Sequence, residues 1–214
     1  ITAPAINLRH PTPRRTGPTV SGRKLFGSVE IQFEDEKKIQ SWANSYSGFV
    51  RDTEVLRKCV TKTDSCQSSV LRSWANEIRN TKGQSKLAVL HAVNAQVNRK
   101  PYINDSLNYA RSDYWASPTE FLQKSGDCED FALMKFASLL ALGFDNKDIR
   151  LVVGSLANGT PHAVLAVNIG KTEYILDNRE SMALSANVDT GYTPKYSMNL
   201  TNRWSHVMPK TSII

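Results

Sequence analysis

The run Gly126-Asp127-Cys128-Glu129-Asp130, continuing as FALMKFASLLALGF over 131–144, sets the architecture. Its apolar positions fall on every side and are cut only by Lys135 and Ser138. The spacing therefore predicts a helix buried all round that crosses the core and stops at Gly143. It falls short of the roughly 20 residues of a bilayer span. Gly126 makes a tight turn into the helix, and the acids at its start suit the positive end of the helix dipole. Cys128 then sits in the first turn of a core helix. Upstream, Ser117-Pro118-Thr119-Glu120 is a capping box that opens a short helix ending at Lys124-Ser125-Gly126. Pro101–Ala116 is aromatic-rich and irregular. Three amphipathic helices precede it: Asp35–Ser47 (Ile39, Trp42, Tyr46 inward), Ser68–Asn80 (Val70, Leu71, Trp74, Ile78) and Ser85–Asn98 (Val89, Leu90, Val93, Val97). His91 lies beside the last of these faces and reads as a packed helix residue. Downstream the period changes to two or to continuous apolar runs: IRLVVGSLA from Ile149, then HAVLAVNI, then TEYILDN. Two more strands are expected, at Tyr192–Leu200 and Arg203–Met208. Helices first and an antiparallel sheet after them make an α+β fold, with the Cys128 helix packed on the sheet.

The chain has 214 residues, a formal net charge of +7 and three cysteines, Cys59, Cys66 and Cys128. One domain is expected over 29–214, with a helical part at about 29–144 and a sheet part at about 149–214. Residues 1–28 carry Arg9, Arg14, Arg15, Arg23 and Lys24, no acid, and four prolines (Pro4, Pro11, Pro13, Pro18). Most of the positive charge thus belongs to a basic, proline-rich N-terminal arm on a nearly neutral body. No basic stripe with interleaved aromatics runs through that body, so the composition does not point to nucleic acid, nor to membrane insertion. The opening Ile-Thr-Ala-Pro, without Met, suggests a processed chain whose targeting signal has been removed.

Asn168–Lys171 is a hairpin turn signal. As a four-residue loop it pairs positions summing to 339, which places His162 directly opposite Asp177, within hydrogen-bonding reach. A carboxylate on one imidazole nitrogen fixes the tautomer and leaves the other nitrogen as a base. A surface cross-strand pair is the plainer alternative for that hairpin alone. Cys128 adds weight to the chemical one: a helix start offers partial positive charge and free N–H groups, which favour thiolate and can hold an oxyanion. Asp127, Glu129 and Asp130 oppose this. Each carboxylate at about 6 Å, with an effective dielectric near 20, disfavours thiolate by roughly 2 to 3 kcal/mol. Capping of helix N–H groups relieves some of the conflict, and a bound cation relieves more. The oxygens of Asp127, Glu129 and Asp130, with Asp113 or Asp105 from the preceding loop, suit Ca2+ better than Zn2+. Capping and calcium both stay open at this point.

With Gly126–Ala132 (GDCEDFA), Pro161–Leu165 (PHAVL) and Ile175–Asn178 (ILDN), the chain resembles the bacterial transglutaminase-like cysteine proteinases of the LapG type, over roughly Val29 to Met208. The resemblance implies a papain/transglutaminase-like core with Cys128 as nucleophile, His162 as general base and Asp177 as its orienter. It also implies calcium dependence, with Asp127 and Glu129 as the favoured ligands and Asp113 and Asp130 as further ones. A periplasmic location is implied, with cleavage of a large surface adhesin near its N-terminus at a di-alanine-type site. That cut releases biofilm cells, under an inner-membrane cyclic di-GMP receptor that sequesters the protease. Transglutaminase-type acyl transfer and a non-catalytic Ca2+-responsive binding module are the alternatives. Cys59 and Cys66 enclose a short polar loop and either pair or stay free. His10 and His206 have no evident partner and read as surface residues.

Overall fold

The computed structural model describes residues 20–33, 39–62 and 66–209. Trp42, Phe49, Leu56 and Val60 recur on one face of the first helix, α1 (Gln40–Thr61), and all are buried. This helix runs well past Ser47 because the same apolar stripe continues; residues 35–38 of the expected start lie outside the described residues. Ser68 and Ser85 cap α2 (Ser69–Arg79) and α3 (Lys86–Val97), accepting from Leu71 N and Ala88 N. The aromatic-rich stretch contains a single helical turn, α4 (Asp105–Asn108). In α5 (Pro118–Lys124) the capping box forms as the sequence predicts: Ser117 N donates to Glu120 Oε2 (2.8 Å) and Glu120 N to Ser117 Oγ (3.4 Å).

The sixth helix, α6 (Cys128–Ala141), is buried at every residue after Cys128. Helices cover one side of it: Phe49 of α1 packs on Phe136 (ring centroids 5.3 Å apart) and Trp74 Nε1 of α2 donates to Ser138 Oγ (2.8 Å). A mid-helix serine is thereby satisfied inside the core, where an unpaired hydroxyl would be costly. On its other side α6 lies against the sheet.

The sheet has β1 (Val20–Ser21), β2 (Val29–Phe33), β3 (Ile149–Ser155), β4 (Pro161–Ile169), β5 (Thr172–Leu176), β6 (Leu184–Ser185), β7 (Thr193–Met198) and β8 (Arg203–Val207). Its order is β1-β2-β8-β7-β3-β4-β5-β6, antiparallel throughout. In β4 the alternate residues Ala163, Leu165 and Val167 join the helix-side core, while Val164 and Ala166 join a smaller cluster with Leu25, Val152, Ile175 and Tyr192. A strand buried on both faces reads as a continuous apolar run, as HAVLAVNI does.

Three expectations change here. Residues 20–28, assigned to the arm, pack on the sheet: Val20–Ser21 pairs with β2, Arg23 forms an ion pair with Glu173, and Leu25 is fully buried. Residues 1–19, including His10, lie outside the described residues. His206 is buried rather than exposed, held between Ser28 Oγ (2.7 Å from Nδ1) and Ser197 Oγ (2.8 Å from Nε2). The turn between β4 and β5 is the two residues Gly170-Lys171, so paired positions follow Ile169↔Thr172 and Leu165↔Leu176 and are shifted by two from those expected.

Cys59, in the last turn of α1, is joined to Cys66 by a disulfide across a separation of seven residues. Closing so short a loop removes about 2 kcal/mol of chain entropy from the unfolded state. The double variant Cys59→Ala/Cys66→Ala is expected to lose about that much stability in urea unfolding, and an unchanged midpoint would show that the bridge contributes nothing.

Candidate active site

The turn into α6 is set by side-chain contacts. Asp130 is fully buried and its carboxylate accepts from Ala116 N (2.6 Å) and from Asp127 N (3.3 Å). A Cβ on Gly126 would stand 1.9 Å from Asp130 Oδ2, so glycine is required there for space. The unusual backbone is at the residue before, Ser125 (φ 65°, ψ −161°), in a region that L-residues enter at a cost of about 1 to 3 kcal/mol. Bonds from the preceding loop hold it: Ser125 Oγ donates to Pro101 O, Ile103 N to Gly126 O (2.9 Å) and Asn108 Nδ2 to Ser125 O (3.1 Å).

Cys128 emerges from this turn half-buried, and it is the free thiol of the three cysteines. Its Sγ is 3.2 Å from Glu129 Oε2. Burial pushes the thiol well above its usual range, as do the charge and hydrogen bond of Glu129; the Ala163 backbone N–H, from the residue after His162, pulls the other way. The helix-start thiol and the start of β4 therefore meet. His162 is buried, and its Nε2 lies 2.9 Å from Asp177 Oδ1, just beyond the end of β5. The two-residue shift in register makes the pair diagonal instead of directly opposite. An even shift keeps both side chains on the face they were expected to share. Nδ1 of His162 has no hydrogen-bond partner among the described residues. Burial works against charge on Asp177. The bond and charge of His162, the Arg179 N–H (2.9 Å) and the Lys135 ammonium outweigh it and hold the carboxyl below its usual range.

A polar stripe on α3 and its C-cap residue, not singled out from the sequence, holds the loop after Asp177. Asn98 Nδ2 donates to Asp177 O (2.9 Å) and Glu180 O (2.8 Å), Asn94 Nδ2 to Glu180 O (2.7 Å), and His91 Nδ1 accepts from Ala183 N (3.2 Å). The helical spacing of 91, 94 and 98 was the available signal. Lys135, noted only as an interruption, lies two helical turns beyond Cys128, fully buried, and its Nζ has no hydrogen-bond partner among the described residues. Burial pushes its pKa down to about 7 against the pull of Asp177.

Around the thiol, one carboxylate oxygen each from Asp105, Asp113 and Glu129 lie within 4.8 Å of one another, as do those of Asp105, Asp127 and Asp130. Ligands at 2.3–2.6 Å from a shared Ca2+ have this spread. Among the described residues, Asp105 Oδ1 and Asp127 Oδ1 are buried with no hydrogen-bond partner, a costly arrangement that a cation would correct. Burial and the charges of Asp127 and Asp113 push Asp105 up to about 6 against the Tyr114 N–H, and burial with Asp127 raises Glu129. The oxygen set fits calcium: Asp113 and Asp105, which the sequence offered as alternatives, both lie beside Glu129. Both oxygens of Asp130 already accept N–H groups, so capping is its first role.

The model of the family described as bacterial transglutaminase-like cysteine proteinase (BTLCP) matches residues 51–212. The chain belongs to this family. It is a cysteine peptidase with the α+β transglutaminase-like core. Legionella pneumophila LapG is similar at 32% identity, covering 70% of this chain and 85% of that one, with a TM-score of 0.58. Its calcium-bound structure matches at 31% over 74% and 92% (TM-score 0.59), and its EGTA-treated structure at 32% over 74% and 88% (TM-score 0.58). No curated protein matches the chain. Among the described residues, no helix of this family member is long and apolar enough to cross a membrane.

Lys135 provides a pH test. With a folded pKa near 7 and an unfolded one near 10.4, the unfolded state holds more protons between these values, so the lysine's contribution to stability rises with pH across that window. Lys135→Met is expected to be more stable than wild type at pH 7, by on the order of 3 kcal/mol, with the gap closing towards pH 10. A constant gap from pH 7 to 10 in urea unfolding would contradict the buried, partly deprotonated lysine.

Proposed function

We propose that the protein is a calcium-dependent, periplasmic cysteine endopeptidase that cuts the N-terminal region of a large surface adhesin. The observation that carries the chemistry is the His162–Asp177 bond at the start of β4, beside a free thiol at the first residue of a buried helix. Cys128 Sγ attacks the scissile carbonyl and its proton passes to His162 Nδ1. Asp177, bonded through Nε2, stabilises the imidazolium, and N–H groups at the start of α6 hold the oxyanion. His162 then protonates the leaving amine as the C–N bond breaks, giving a thioester. Water attacks the thioester after losing a proton to the imidazole, and the released thiolate takes that proton back. When bound, calcium supplies positive charge among Asp105, Asp113, Asp127 and Glu129, offsetting the carboxylates that oppose the thiolate. The calcium-bound and EGTA-treated structures of LapG support calcium as the ion. The adhesin substrate, its di-alanine-type site and sequestration by a cyclic di-GMP receptor rest on the family resemblance.

The test is incubation with adhesin N-terminal fragments, wild type against Cys128→Ala, with and without chelator and with or without a primary amine. Wild type should cleave and Cys128→Ala should not. Chelation should stop cleavage and re-added Ca2+ restore it, and product masses should show added water, not amine. Cleavage by Cys128→Ala would overturn the nucleophile, and full activity in chelator would remove the metal. Glu129→Gln is expected to weaken the Ca2+ response at least about tenfold while leaving folding intact, measured as the Ca2+ concentration at half-maximal cleavage.

A further inference from the structure

We propose that Tyr192 is a positioning residue for His162, acting through the histidine's main chain, and that Gly154 is the space that lets it do so. The inference rests on His162 being the base.

Pairing of β4 with β5 begins only at Leu165, so among the described strands Pro161–Val164 are held on the β3 side alone. A base on a half-paired strand end has a main chain free to shift, and a shift of about 1 Å can cost a hundredfold in rate. The Tyr192 hydroxyl gives this strand end a second hold, from above the β3–β4 ladder. It lies 2.9 Å from the carbonyl of His162 and 3.1 Å from that of Val152 on β3, and its proton is shared between them. The phenol is therefore pinned to the sheet at one carbonyl and to the base at the other. Its ring is buried, stands edge-on to the imidazole (centroids 6.3 Å) and leans on Phe26 (4.7 Å).

Gly154 lies directly across the ladder from His162. A Cβ there would come within 2.9 Å of Tyr192 Cζ, 2.9 Å of Pro194 Cα and 2.3 Å of Thr193 O. Two of these three are backbone atoms, which cannot swing aside. The β3–β7 ladder shifts register between Val153 and Gly154, so the chain after Tyr192 crosses β3 at its closest approach where the side chain is missing. Asp177 then fixes the rotation of the imidazole, and Tyr192 fixes the height of the peptide that carries it.

Tyr192→Phe removes the hydroxyl and keeps the ring. In calcium-containing buffer, the p-nitrophenolate burst from p-nitrophenyl acetate, which reports acylation of Cys128, is expected to slow about tenfold. The 15N and 1H signals of the His162 imidazole should move. Phe26→Leu, which loosens the ring packing and leaves the hydroxyl, should lower the urea midpoint without either change, so a purely structural role is distinguishable. Gly154→Ala is expected to reproduce the slowed burst, and Tyr192→Phe decides the matter if that variant does not fold. A wild-type burst and unmoved imidazole signals in Tyr192→Phe would overturn the proposal. His162→Asn separates the two layers: a normal burst there removes the base assignment itself, whereas an inactive His162→Asn beside a wild-type Tyr192→Phe removes only the role of Tyr192.

Discussion

The carboxylate of Asp130 ties two backbone amides from separate segments, Ala116 before α5 and Asp127 before α6, and it does so in the space where Gly126 has no side chain. Helix starts leave N–H groups unpaired, and one buried carboxylate serving two such places locks the entry of α6 to the loop in front of it. Asp52 of α1 does the same for α5, accepting from Thr119 N (3.0 Å). Because α6 is buried on all sides, it cannot rotate once its start is fixed. The position of Cys128 follows from that bond.

This construction sets a cost beside the nucleophile. Asp105, Asp127, Glu129 and Asp130 all have raised pKa values, with burial as the largest cause in each. Their mutual repulsion adds to it. Among the described residues, one oxygen each of Asp105 and Asp127 is buried without a hydrogen-bond partner, in the group of acids that could hold a cation. Two turns along the same helix the sign reverses: Lys135 is buried without a hydrogen-bond partner among the described residues, within the electrostatic reach of Asp177. The helix carries negative charge at the thiol end and a latent positive charge behind the aspartate that orients the base.

The fold was largely legible because its elements are strongly periodic. The stripes of Ser68–Asn80 and Ser85–Asn98, the capping box at Ser117 and the two-faced strand HAVLAVNI each state their environment locally, whereas the first helix continues its stripe through Phe49 and Leu56, beyond the end at Ser47 that its sequence suggested. The register of the β4–β5 hairpin was off by two, since a turn can be built from Gly170-Lys171 alone or with their neighbours. The His162–Asp177 pair survived because strand faces repeat every two residues. His206 differs from its surface reading for another reason: Ser197 faces it across the β7–β8 hairpin, but Ser28, which binds the other ring nitrogen, comes from 178 residues away, just before β2, and nothing near residue 206 announces it. Residues 20–28 resembled the basic arm in composition, yet Leu25 finds its pocket under Val152 and Tyr192.

The order Cys128, His162, Asp177, the helix that presents the thiol and the acids that surround it are properties of short stretches, so the sequence by itself determined them. Local chemistry does not say how far apart two elements stand. The meeting of α6 with the start of β4, the oxygens of Asp105 and Asp113 brought to Glu129, the α3 amides on the loop after Asp177 and the hydroxyl of Tyr192 against the main chain of His162 were decided only by the tertiary structure. Each depends on backbone atoms and spacings of a few ångströms, and these exist only once the helices have closed over the sheet.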